Sequence, residues 1–105
     1  MSYNVSLNAE NVLCVSGKID LTNVKIACSM GKALIDTLPS VRVDLSGIEQ
    51  ADSSSLAMLV DWLRKARSQH KAVIFLSMPQ CMLDLERVCG LDLILPVNKT
   101  IDFNN

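Results

Sequence analysis

The chain has almost nothing with which to run acid–base or metal chemistry. Its only histidine is His70, so neither a His-centred catalytic triad nor a His cluster for a metal is available. The four cysteines, Cys14, Cys28, Cys81 and Cys89, include no C-x-x-C pair, which argues against a zinc site or a disulfide framework. Each lies inside an apolar or helical pattern, the setting of buried free thiols in a reducing compartment. Neither G-x-x-x-x-G-K-[ST] nor G-x-G-x-x-G occurs, so the loops that cradle nucleotide phosphates are missing as well. No cofactor or metal is expected, and catalysis is not the expected role.

Charge of one sign is also lacking. Ten Lys and Arg stand against eleven Asp and Glu, scattered along the chain, and a nucleic-acid binder would show a basic patch. No apolar run approaches the roughly 20 residues that span a bilayer, so no direct membrane insertion is expected. Met1-Ser2-Tyr3-Asn4 lacks the basic and apolar regions of a signal peptide. There are no repeats, linkers or low-complexity segments. A length of 105 residues suits one core, here assigned to a single domain over 1–97 with a polar tail at 98–105.

What is present is a regular alternation of strand and helix patterns. Tyr3, Val5 and Leu7 alternate with polar residues, and Val12 to Ile19 gives a second strand after a short turn-like stretch, predicting an antiparallel hairpin. Asp20, Thr22 or Asn23 is placed to cap a first helix, whose apolar stripe is Val24, Ala27, Met30 or Gly31, Leu34 and Ile35. Gly31 costs about 1 kcal/mol of helix propensity relative to Ala, a cost that close approach of the helix to the sheet would offset. Val41 to Leu45 reads as a third strand ending in a Ser46-Gly47 turn.

The second helix is expected from Ser53 to Gln69, with Leu56, Leu59, Val60, Leu63, Ala66 and Arg67 on its core face. His70 and Lys71 put positive charge near its C-terminal dipole end. Ala72 to Leu76 is continuously apolar, as in a strand covered on both faces or deep in a sheet. A third helix follows Pro79, with Cys81, Met82, Leu85, Val88 and Cys89 as its stripe and Gly90 as its stop. Leu93-Ile94-Leu95 reads as a short last strand. The expected class is α/β, a mixed four- to five-stranded sheet with crossover helices in the order β-β-α-β-α-β-α-β.

Chemistry concentrates at one place. Asp52-Ser53-Ser54-Ser55 opens the second helix and sets a carboxylate and three hydroxyls beside its unpaired N–H groups. One reading is a helix cap and nothing more; the other is a contact site. Met58 and Trp62 share a flank with Ser55, away from the Leu56 and Leu63 direction. Either a neighbouring helix or the tail covers that flank, or Trp62 and Met58 anchor a partner. Arg64, Lys65 and Arg67 would then be its basic rim, or simply a solvated face. Asp44 and Asp52 could meet near the strand end, but a carboxylate pair alone specifies no chemistry.

Val15-Ser16-Gly17-Lys18-Ile19-Asp20, together with Val43-Asp44-Leu45-Ser46-Gly47-Ile48 and Asp52-Ser53-Ser54-Ser55-Leu56-Ala57, resembles the STAS domain family, over roughly Tyr3 to Val97. Within that family the Asp-hydroxyl-x-x-Leu-Ala pattern and the segment from Leu91 to Pro96 look like MlaB-type subunits of phospholipid-transporting ABC complexes. The resemblance implies a STAS fold and a non-catalytic subunit that binds and regulates an ABC transporter ATPase, peripheral to the cytoplasmic face of the inner membrane through that partner. It implies partner binding at Asp52, Ser53, Ser54 and Ser55, with Ser53 at the MlaB-type hydroxyl position, and the flank of Met58 and Trp62 read from the helical wheel completes the expected partner-binding set. The alternative is an anti-sigma factor antagonist that binds a kinase and is phosphorylated at Ser54. Where those antagonists read Asp-Ser-Ser-Gly-Leu-Gly, this chain has Ser55 and Ala57, a departure that favours the transporter reading. A small-ligand-binding or enzymatic domain is the remaining class, and it would need a deep polar pocket.

Overall fold

A computed structural model describes residues 3–90 together with Leu95. The elements run β1 (Tyr3–Leu7), β2 (Leu13–Ile19), α1 (Val24–Ile35), β3 (Val41–Ala51), α2 (Ser53–Ser68), β4 (Val73–Leu76) and α3 (Gln80–Val88). The four strands form one sheet in the order β1-β2-β3-β4. β1 and β2 make the expected antiparallel hairpin, with Val5 opposite Val15. β2, β3 and β4 are parallel, so α1 and α2 are crossover helices. The expected mixed sheet with crossovers is what forms. The last expected strand, apart from buried Leu95, and the tail at 98–105 lie outside the described residues.

One face of the sheet supplies the core. Val5, Leu13, Val15, Val43, Leu45, Val73 and Phe75 point into a single cluster with Ala27, Ile35, Leu56, Leu59, Trp62, Leu63, Ala66 and Met82 from the helices. β4 alternates buried Val73 and Phe75 with half-buried Ile74 and Leu76. With Ile74 and Leu76 only half-buried, the expectation of a strand covered on both faces is corrected, and among the described residues β4 pairs only with β3. A continuous apolar run carries no periodicity to separate those cases.

β3 does not turn at Ser46-Gly47 but continues to Ala51. Its register against β2 slips twice, between Cys14 and Ser16 and again between Gly17 and Lys18, each time inserting a residue into β3 as a bulge does. The first slip leaves Ser46 and Gly47 both exposed between buried Leu45 and Ile48. The Ser46 N–H is held by the Asp44 carboxylate at 2.9 Å. Gly47 is there for space: a Cβ would lie 2.8 Å from Ser16 Cβ and 3.1 Å from the Val15 carbonyl oxygen.

The helices pack through one contact above all. Trp62 is 0% exposed, and its indole N–H donates to the Cys28 carbonyl oxygen at 3.0 Å. The ring lies on Gly31, where a Cβ would stand 2.2 Å from Trp62 Cε2. Gly31 therefore serves the approach of α1 to α2, not to the sheet as expected. Polar ties flank the contact: Lys32 to Asp61 at 3.3 Å and Lys65 to Asp36 at 3.1 Å. Gln69 also donates to Asp36. Lys71 donates to the Ile35 carbonyl at 2.8 Å, so its charge serves the end of α1 rather than that of α2. His70 closes α2 with a left-handed backbone, φ 55°, its N–H donating to the Arg67 carbonyl.

Three further expectations are corrected. On α2, Arg67 is exposed while the buried set extends to Ser55, Met58 and Trp62. On α3, Met82 and Glu86 are buried, whereas Cys81, Val88 and Cys89 are exposed. All four cysteines are free thiols, but only Cys14 and Cys28 are partly buried. A nine-residue helix offers only about two and a half turns, too little for a wheel to fix its inward direction.

Replacing Gly31 by Ala should destabilise the domain although Ala is the better helix former. Overpacking of a rigid ring costs about 1–3 kcal/mol, against a propensity gain of about 1 kcal/mol. Trp62→Ala should cost about 3–5 kcal/mol. In denaturant titrations, Gly31→Ala combined with Trp62→Phe should lose less than the sum of the two single variants, because the smaller ring vacates the space the methyl needs.

Acid should loosen the same helix pair. The Gln69 amide, and then Lys65, hold the Asp36 carboxyl below its ordinary value. A carboxyl depressed on folding contributes stability that is present above the unfolded value, about 3.9, and is lost as pH falls through the folded one. The acid limb of a stability-versus-pH curve should therefore be shallower in Asp36→Asn than in the parent.

Candidate functional site

The C-terminal ends of β2 and β3 lie side by side, and each feeds a helix from a tight polar junction. After β2, Asp20 accepts from the Thr22 N–H at 2.9 Å and from its hydroxyl; these bonds hold the Asp20 carboxyl below its usual range. Asn23 stands at the N-cap of α1 without capping it through its side chain. It is buried, accepts from the Asp20 N–H at 3.0 Å and donates to the Lys18 carbonyl at 2.8 Å. The three candidate caps thus fix the loop rather than the first turn.

After β3, the Asp52 N–H donates to the Ile19 carbonyl at 3.3 Å, pinning the start of α2 to the end of β2. Asp52 is the N-cap. Its carboxylate accepts from the Ser54 N–H at 2.9 Å and from the Ser54 hydroxyl. Ser55 is wholly buried, its hydroxyl donating to the Asp52 carbonyl at 2.7 Å. Ser53 is exposed, and Asp52 and Ser54 are half-buried. Asp44 bonds Ser46 and faces Cys14 across the sheet. It shares no contact with Asp52, so the two carboxylates form no pair.

An open groove of about 470 Å³ runs between α1 and α2 beside this helix start. Ser54, Ala57, Met58 and Asp61 line one wall; Leu21, Val24, Lys25, Cys28, Ser29 and Lys32 line the other. Leu21 is 80% exposed, an apolar side chain standing at the mouth. Burial first, and then the Asp61 carboxylate whose Oδ2 accepts its S–H at 3.5 Å, push the Cys28 thiol up. It is a poor nucleophile at neutral pH. A smaller cleft of about 160 Å³, lined by Lys18, Asp20, Gln50 and Asp52 among others, adjoins on the strand side.

The structure therefore brings Asp52, Ser53, Ser54, Ser55 and Met58 together at one helix end but divides their exposure. The expected exposed anchor is corrected: Trp62 is covered by α1, and Met58, 2% exposed, forms groove floor instead of a protruding contact. The physical reason is that α2 packs against both the sheet and α1, so two of its flanks are buried. Sequence reasoning missed the α1 wall. Its one legible signal was Leu21, a lone large apolar residue between polar capping residues.

Two features bear on chemistry. Among the described residues, no group of three or more His, Cys, Asp or Glu side chains could hold a metal. Nor is any helix of the described residues long and apolar enough to cross a membrane. What the geometry defines is a small mixed sheet carrying a polar helix start and a shallow, half-apolar groove. The family model described as the Mlab STAS domain matches residues 5–96, and the chain belongs to the STAS domain family. No curated protein sequence matches it.

Solved structures agree with that assignment. A chain of the Acinetobacter MlaFEDB complex, in its ATP-bound Vtrans2 conformation, is 33% identical, with a TM-score of 0.78 over 90% of this chain and 98% of that one. An anti-sigma factor antagonist from Mycobacterium paratuberculosis is 22% identical, with a TM-score of 0.73 over 91% and 83%. The Bacillus cell fate determinant SpoIIAA in its phosphorylated form is 13% identical, with a TM-score of 0.66 over 91% and 90%. At those lower identities the last two share the fold.

The cap makes its own prediction. Asp52→Ala removes the acceptor for the Ser54 N–H and should cost about 1 kcal/mol in denaturant unfolding. Asp52→Asn, which keeps an oxygen acceptor, should recover most of the loss.

Proposed function

We propose that this chain is the non-catalytic STAS subunit of a phospholipid-transporting ABC complex, binding and regulating its cytoplasmic ATPase in the service of outer-membrane lipid asymmetry. The observation that carries the reading is the 33% identity, over 98% of its length, to a chain of the MlaFEDB complex. The open groove supports it as a place to dock. Ser53, the rim of Ser54 and Asp52, and exposed Leu21 would meet the ATPase, while Met58 forms the floor. Trp62 and Ser55 act beneath the surface by fixing the wall and the cap. Seating a rigid domain beside the ATPase would favour its productive, dimerised state. Nucleotide would be held by the partner, and the chain would reach the inner membrane only through it.

A second reading is favoured by one observation. The Ser54 hydroxyl sits at a helix N-terminus on the Asp52 carboxylate, the position at which an anti-sigma factor antagonist would be phosphorylated. A phosphate there is favoured by the helix dipole. It would also remove a hydroxyl donor and set nearly two negative charges against Asp52, so it would reorganise the cap. Ser55 in place of Gly does not by itself count against this reading. It is buried inside α2 and bonded to the cap, so it needs no unusual backbone and faces no partner.

The double variant Ser53→Glu/Ser54→Glu, co-expressed with the ATPase subunit of an MlaFEDB-type complex from the same organism, should lose co-purification by at least tenfold while its thermal melting stays within a few degrees of the parent. Undiminished co-purification overturns the docking face. Incubation with a cognate kinase and ATP, read by mass spectrometry, decides the second reading: stoichiometric phosphate on Ser54 would establish it.

A further inference from the structure

We draw no further inference here: the strongest candidate, the cluster of Cys28, Lys32 and Asp61 side chains in the walls of the groove between α1 and α2, belongs to the docking site already described and offers a lone cysteine as its reactive group.

Discussion

The seating of the Trp62 ring on Gly31 is the constraint on which the rest of this domain depends. It sets the distance between α1 and α2, and only a residue without a Cβ allows that distance. The indole N–H takes up the Cys28 carbonyl, so a large buried ring is placed without leaving a polar atom unpaired. With the two helices fixed, Asp61 comes within reach of Lys32 and Cys28, and Asp36 within reach of Lys65 and Gln69. These ties are solvent-exposed and individually weak. They align helices that the indole has already brought together, and the groove beside Ser54 lies between the same two helices.

The sheet contributes the other half of the site through an irregularity. Two register slips lengthen β3 relative to β2, and the Asp52 N–H still finds the Ile19 carbonyl beyond them. The β2–α1 loop and the start of α2 are thereby held side by side at the C-terminal ends of parallel strands, where open α/β sheets commonly place their functional surfaces. Gly47 permits the close approach that the first slip requires. The two Ser-Gly pairs that carry the family resemblance, Ser16-Gly17 and Ser46-Gly47, meet at this slip, where Ser16 pairs with Gly47 and Gly17 with Ile48. They serve the geometry of the sheet, Gly47 by leaving room for Ser16.

The elements were legible where a single periodicity dominated. The β1–β2 alternation, the span of α2 and the order of strands and helices all follow from patterns that only one packing satisfies. Legibility failed where a segment has two neighbours. On α2 the Leu56–Leu63 direction faces the sheet and the Ser55–Met58–Trp62 flank faces α1. A wheel that assumes one buried face assigns the second to solvent or to a partner. The same assumption paired Gly31 with the sheet, because nothing in one helix's sequence states which neighbour fills its gap. The Ser46-Gly47 turn was misread for a related reason: Gly serves equally for a turn and for a close approach inside a strand. Of the site, the cap was visible as residue types at a spacing, whereas the α1 wall arises only from tertiary contact.

The three consecutive serines look interchangeable in the sequence, and the structure gives each a different chemistry. Ser55 is spent on the Asp52 carbonyl and closed to solvent, so its replacement for Gly is a matter of internal packing. Ser54 is tied to the Asp52 carboxylate at the edge of the groove, where any change in its charge is felt first by the cap. Ser53 is the exposed one of the three. A partner that reads this surface by shape therefore meets Ser53 and the groove mouth, and it senses Ser54 only through the order of the helix start. Covalent modification would have to disturb that order to reach its target. The carboxylate that caps α2 at this point is thus also the group that holds the Ser54 hydroxyl.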